Sequence, residues 1–373
     1  MNWESMMKEA KLYKDEMTDA ERNKAYAKGE EVDHIPYSLS SAETLPPMYG
    51  FTMGEFRRSK EVQLEMARRL HEDFGIYKVG VGLGLKRLGA ALGSVLEYPE
   101  NGLDYVIKPL VSDYAVLDRL EVVNPYENES LSGMLNKIQM YKDEFGPSFG
   151  FSSSVAGPLT TAVALRSTED VLKDMRKDKE NLHRLLSYCV DCSLAWVKAV
   201  YETHGVTSIG INDPVTSMSL ISPSAFQEFS KPHLQEFFDG IVKITGKVPG
   251  LHICGRTKEI WQDLVDIGFK SFHLDNCESL REIKETVGDK LAISGNVPPV
   301  DVMRYGTIDE VIASVRNCIE EGGDNPSGYT VAIGCQIPAG TPKKNLDAYV
   351  FASKKYGRYA RKGQRPKGLD LYL

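Results

Sequence analysis

No run of 18 uninterrupted apolar residues occurs in this 373-residue chain, so it offers no candidate membrane-spanning helix. Export is not indicated either, because Met1–Arg22 is charged throughout and lacks the apolar centre of a signal peptide. Cysteine is sparse, with six residues in all, too few to act as a disulfide framework for a chain this long. A reducing, cytoplasmic setting is the expectation. A surplus of positive charge is also missing. With 45 Lys and Arg against 52 Asp and Glu, the formal charge of −7 speaks against a general surface for nucleic acid or anionic lipid. Low-complexity tracts and short internal repeats are absent as well.

The chain does have enough apolar material for a large core, 42% of its residues against 26% charged, so no staple is needed to hold the fold. Residues 3–29, rich in Lys, Glu, Met and Ala, read as a helical extension. Eight candidate strands follow: His34–Ser40, Ile76–Gly82, Ser148–Ser154, Thr207–Asn212, Lys247–Ile253, Lys270–Leu274, Lys290–Ser294 and Tyr329–Gly334. Amphipathic stretches such as Ser59–Phe74, Thr168–Thr203, Ser222–Thr245, Thr257–Ile267 and Thr307–Glu321 separate most of them. Strand and helix in alternation imply parallel strands joined by crossovers, and eight of them imply an α/β (β/α)8 TIM barrel. Residues 31–356 form that single barrel, with 1–30 before it and a basic tail, 357–373, after it.

Local signals sharpen this outline. Thr307-Ile308-Asp309-Glu310 is a capping box, and Ser222-Pro223 places a serine cap before proline. Val95–Tyr98 and Tyr105–Lys108 read as a small β-hairpin inserted after the second strand. The tail, with Arg358, Arg361, Lys362, Arg365 and Lys367, reads as disordered, or as a dock for an acidic partner.

Two thiols carry the most chemistry. Val248–Gly255 closes a strand on His252-Ile253-Cys254-Gly255, and 81 positions later (335 − 254) Tyr329–Cys335 closes another on Gly334-Cys335. Residues i and i+2 of a strand share a face, so His252 and Cys254 point the same way. Barrel enzymes keep their chemistry at the C-terminal ends of the strands. If both strands join one barrel, His252, Cys254 and Cys335 can bind Zn²⁺ as one imidazole and two thiolates, leaving a position open, the pattern of catalytic zinc. The bland alternative is that buried cysteines serve as small hydrophobes. Asp275, on one face with His273, is the candidate fourth ligand, and His273 reads as a core or supporting histidine. Cys189 and Cys192, in mid-helix among Leu185, Leu186, Leu194 and Trp196, read as a packed face, as does Cys318. Cys277 falls past its strand and reads as bland.

Other polar groups cluster at strand ends. Asn212 and Asp213, with Asp275, are the candidate catalytic groups, although Asn212-Asp213 could equally cap the helix that follows. Ser152, Ser153, Ser217 and Asn296 are candidate cofactor contacts, and the small residues Ser152–Gly157 suit close approach by a large flat ligand. Ser38, Ser40, Ser41 and Glu43 end the first strand and could line the same opening.

Together these residues resemble the uroporphyrinogen decarboxylase superfamily, and within it the zinc-dependent methylcobamide:coenzyme M methyltransferase branch. The similarity spans roughly residues 30–355. It rests on His252-Ile253-Cys254-Gly255 with Asp263, Gly268-Phe269 and Asp275, on Ser294-Gly295-Asn296-Val297, and on Gly334-Cys335-Gln336-Ile337-Pro338 with Thr341-Pro342 and Asn345. Asn212–Ser217 and Leu220-Ile221-Ser222-Pro223 resemble the family's barrel-mouth motif. The resemblance places the zinc ligands on His252, Cys254 and Cys335, and a displaceable carboxylate on Asp275, where that branch carries Glu. The decarboxylases carry an arginine-rich motif near the N-terminus. Here Ile35–Ala42 contains no arginine to meet a polyanionic tetrapyrrole.

The activity so implied is methyl transfer between a corrinoid and a small substrate, either a thiol acceptor or a methoxy or methylamine-type donor. Two thiolate ligands make a zinc site electron-rich, which favours the thiol. The corrinoid would arrive on a separate protein, since no D-x-H-x-x-G occurs in this chain. Tetrapyrrole decarboxylation and a non-catalytic metal- or ligand-binding barrel are the alternatives.

Overall fold

Strands form along the β-branched runs, and most are shorter than the sequence alone predicts, although Gly150–Ala156 keeps its expected length and Ala292–Val297 exceeds it. The computed structural model describes residues 1–39 and 42–372. Its strands are β1 (Val32–His34), β2 (Lys78–Gly80), β3 (Val95–Glu97), β4 (Tyr105–Lys108), β5 (Gly150–Ala156), β6 (Ile209–Asn212), β7 (Gly250–His252), β8 (Ser271–His273), β9 (Ala292–Val297), β10 (Tyr329–Ile333) and β11 (Arg358–Ala360). Two units are distinguished: Lys78–Phe269, and Met1–Tyr77 taken with Lys270–Leu373.

In the unit Lys78–Phe269, β2, β5, β6 and β7 pair in parallel in that order. Helices cross between them, which is the expected βα alternation. The longest, Lys179–His204, buries Leu185, Leu186, Cys189, Cys192 and Trp196. Each large apolar side chain removed from water in this way contributes about 1.5–3 kcal/mol. The C-x-x-C is therefore a packed face, and burial holds the Cys189 thiol well above the usual range. The predicted helix 168–203 is two helices, Thr168–Lys177 and Lys179–His204, because Asp178 leaves the helical conformation and caps the second. Between β2 and β5, β3 and β4 form the expected antiparallel hairpin, with Leu96 opposite Val106.

In the other unit, β8, β9 and β10 are parallel. The run predicted as His34–Ser40 is reduced to a bridge between Tyr37 and Val331. Val331 N–H donates to Pro36 O, and Ser38 N–H to Val331 O, both at 2.9 Å. Pro36, lacking an N–H, can only accept in this ladder. Ser40 and Ser41, expected to line an opening here, lie outside the described residues.

Both ends of the chain differ from expectation. The predicted helix 3–29 is two, Trp3–Ala10 and Asp19–Ala27, because a Thr18–Glu21 capping box starts the second. The tail is not a disordered terminus. Its β11 pairs antiparallel with β1, Val32 opposite Ala360 and His34 opposite Arg358. Its cations find carboxylates within the same unit: Arg358 on Glu16 at 2.7 Å, Lys367 on Glu31 at 2.6 Å and Arg365 on Glu320 at 3.2 Å. The capping box at Thr307 stands as predicted, with Glu310 N–H donating to Thr307 Oγ1.

Candidate metal centre

Strand β7 ends at His252, and two residues later Cys254 lies in the turn that Gly255 makes possible. Gly255 has φ +82°, a conformation costly for any residue with a Cβ. His252 Nε2 stands 3.0 Å from Cys254 Sγ, as the shared face predicts. That gap is shorter than one Zn–N plus one Zn–S bond, about 4.4 Å together, so a single ion can reach both atoms. Both residues are half-buried. An imidazole and a thiol in this relation suit a borderline-soft ion such as Zn²⁺ and do not suit a hard one.

Asn212 ends β6 in register with His252 on β7. Neighbours in register present their side chains on one face, so Asn212 and His252 share one. Asp213 is different. Its carboxylate is 1% exposed and accepts from Thr160 N–H at 2.9 Å, Thr160 Oγ1 at 2.6 Å and Thr216 Oγ1 at 2.9 Å. Burial pushes its pKa up, against the pull of these bonds. A Cβ on Gly157 would come within 2.4 Å of the Asp213 side chain, so that glycine is required for the carboxylate to fit. Asp213 therefore holds the loop after β6 in place and does not face an opening.

The four serine and asparagine positions expected to contact a cofactor separate sharply. Ser152 is half-buried on the same face of β5 as Ser154. Ser153 faces the opposite way, 3% exposed, where it accepts from Trp196 Nε1 at 3.3 Å. Successive strand residues cannot share a face, so Ser153 packs against the helix layer. Ser217 is also buried. Its hydroxyl donates to Arg256 O at 3.2 Å and accepts from Ser219 N–H at 3.1 Å. Asn296 spends its amide on Asp275 O at 3.0 Å and Glu278 O at 2.7 Å, which fixes the turn after β8. Ser153, Ser217 and Asn296 thus each carry framework hydrogen bonds. Thr160 and Ser219, which share that framework, had no motif to single them out.

In the unit formed by the chain ends, Cys335 follows β10 and is half-buried. Gly334 before it passes so near the next loop that a Cβ there would lie 2.6 Å from Asn276 N. Asp275 follows β8, half-buried, and accepts from Cys277 N–H at 2.9 Å. His273 Nε2 lies 2.8 Å from Ile333 O, the placement of a supporting histidine. Cys318 is buried, and burial pushes its thiol up to about 11, so it stays protonated. Asp15, Asp33 and His34 form another cluster whose oxygens and nitrogens lie within 4.8 Å of one another. Arg22 fills it, with Nε 2.7 Å from Asp33 Oδ1 and Nη2 3.0 Å from Asp15 Oδ1. A guanidinium already sits where a cation would go.

Comparison with known proteins follows the same lines. The family description "Uroporphyrinogen decarboxylase (URO-D)" matches residues 18–356. The methylcobamide:CoM methyltransferase MtaA of Methanosarcina barkeri is 27% identical over 359 residues, covering 91% of this chain and 99% of its own. A methylated-thiol–coenzyme M methyltransferase of Methanosarcina mazei is 24% identical over 346 residues, covering 91% and 90%. Among solved structures, a methyltransferase from Methanosarcina mazei superposes with a TM-score of 0.78 at 27% identity, over 91% of this chain and 99% of that one. The fold is accordingly an α/β barrel of the expected class.

Proposed function

The chain belongs to the uroporphyrinogen decarboxylase family, and from that membership we propose that it is a zinc-dependent methyltransferase moving a methyl group between a corrinoid and a small thiol. The observation that carries this reading is the pair of His252 Nε2 and Cys254 Sγ, 3.0 Å apart at the end of a parallel strand. By the resemblance of their motifs, His252, Cys254 and Cys335 are the donors we assign to the ion, with Asp275 as the ligand that yields to substrate. A zinc ion held there would supply a deprotonated thiol at neutral pH, where a free thiol of pKa about 8.5 is mostly protonated.

The chain's own residues do the holding and orienting. His252 and Cys254 enter as one rigid pair, Asp213 N–H anchors the His252 carbonyl at 2.9 Å, and Asn212, which shares a face with His252, is the residue we assign to hydrogen-bond a bound substrate. The name of the Methanosarcina barkeri relative includes a methylcobamide, and we assign the corrinoid to a partner protein because no D-x-H-x-x-G occurs in this chain.

The test is demethylation of methylcobalamin with a panel of thiols, followed in the visible spectrum on zinc-loaded and chelator-treated protein. The expected outcome is turnover that disappears on chelation while the fold persists. Release of CO₂ from a porphyrinogen by metal-free protein, with methylcobalamin untouched, would overturn the proposal.

A further inference from the structure

The stretch that carries His252 and Cys254 is gripped at both ends by one neighbouring loop. At the near end, Asp213 N–H donates to His252 O at 2.9 Å. At the far end, Ser219 Oγ accepts from Arg256 N–H at 3.1 Å, while Arg256 O accepts from Ser217 Oγ at 3.2 Å and from Met218 N–H at 2.9 Å. Between these anchors, both hydroxyls press on Gly255. A Cβ there would meet Ser217 Oγ at 2.6 Å and Ser219 Oγ at 2.7 Å. The loop doing the gripping is itself immobilised from behind. Asp213 is bonded to Thr160 and Thr216, and Thr216 Oγ1 lies 3.2 Å from Ser230 Oγ.

We propose that the loop 213–219 is a template that fixes His252 and Cys254 at chelating separation, with Ser219 as the positioning residue for the Cys254 ligand. This rests on the metal-dependent reading above and adds to it the origin of the site's rigidity. Four hydrogen bonds to main-chain atoms of residues 252 and 256 leave the intervening turn little freedom. A ligand pair held in place before the ion arrives loses less entropy on binding. Groups that orient metal ligands without touching the ion typically cost 10–100-fold in affinity when removed. Ser219 is suited to such a role. Removing its hydroxyl deletes one bond to Arg256 N–H and opens space beside Gly255, yet takes away no candidate ligand.

The experiment uses the full-length protein. Zinc affinity is measured by competition with a chromophoric chelator, and Co²⁺ is titrated as a spectroscopic stand-in whose absorption bands report ligand geometry. Ser219→Ala is compared with wild type, Gly255→Ala with both, and Ser224→Ala is a control just beyond the loop, whose hydroxyl bonds Ser222. Expected are a roughly 10–100-fold loss of zinc affinity and altered Co²⁺ bands in Ser219→Ala, with the melting temperature of the metal-free protein near wild type. Gly255→Ala, which crowds the same two hydroxyls from the other side at a positive φ, should likewise weaken zinc binding and alter the Co²⁺ bands, with a lower melting temperature; Ser219→Thr, which keeps the hydroxyl, should restore affinity and bands towards wild type.

Wild-type affinity and wild-type bands in both variants would overturn the template while leaving the metal site intact. A wild-type protein that binds no stoichiometric zinc would overturn the metal reading and the template with it. The two failures are therefore distinguishable.

Discussion

Asp213 shows how far a single residue can be read from its neighbours in sequence. Asn212 ends β6 in register with His252, a pairing that the sequence alone did not place. Asp213 comes one step after the strand, where the period of two no longer fixes direction, and it turns inward to Thr160 and Thr216. The contact with Thr160 spans 53 positions, so nothing local announces it. Replacing Asp213 by alanine strands those buried donors, each costing about 1–3 kcal/mol when unpaired. Asp213→Ala should therefore lower the urea midpoint by an amount equivalent to at least about 2 kcal/mol, with Asp213→Asn milder. An unchanged midpoint would show that the carboxylate does not hold the loop. Ser153 is the opposite case. The same period already forbids it from sharing a face with Ser152, so its burial against Trp196 was legible in the pattern.

At the scale of elements, features written in adjacent residues were the readable ones. Capping boxes, the Ser222-Pro223 start and the hairpin all have their determinants within a few positions. The tail does not, because its carboxylate partners Glu16 and Glu31 stand more than 300 positions away. Composition alone made it look solvated. Truncation after Gly357 removes β11 together with the buried side chains of Ala360 and Leu369, both 0% exposed, and bares the backbone edge of β1. The truncated protein should melt several degrees lower and show faster amide exchange at Val32 and His34. Equal melting and exchange would mean that the tail adds no stability. Strand lengths were also hard to judge, since β-branched runs continue past the point where hydrogen bonding stops.

For the molecule as a whole, the alternation of strand and helix was enough to name an α/β barrel, because that pattern repeats along the entire chain. The assembly of buried charge around Arg22 was not legible, as it draws Asp15, Asp19, Asp33 and His34 to one place. Burial alone would raise the Asp33 pKa, but the Arg22 hydrogen bond and the nearby His34 and Arg22 charges outweigh it and hold the carboxyl at about 2. Asp15 is likewise depressed, its partners His34 and Lys354 outweighing burial. A carboxyl depressed in the folded state adds stability that is complete above its unfolded pKa of about 3.9 and vanishes as pH falls through the folded value. Melting temperature should therefore drop between about pH 4 and 2. Arg22→Met, which strands the buried Asp33 carboxylate, should cost about 3–5 kcal/mol at neutral pH and move the acid transition upward. An acid limb identical to wild type would remove the network from the account.

The pairing of β1 with β11 has a consequence for how the protein is made. Val32 leaves the ribosome well before its strand partner Ala360, which follows 328 positions later (360 − 32). Until that partner is made the edge of β1 waits unsatisfied, so products stalled or terminated before it would expose an adhesive edge to chaperones and proteases.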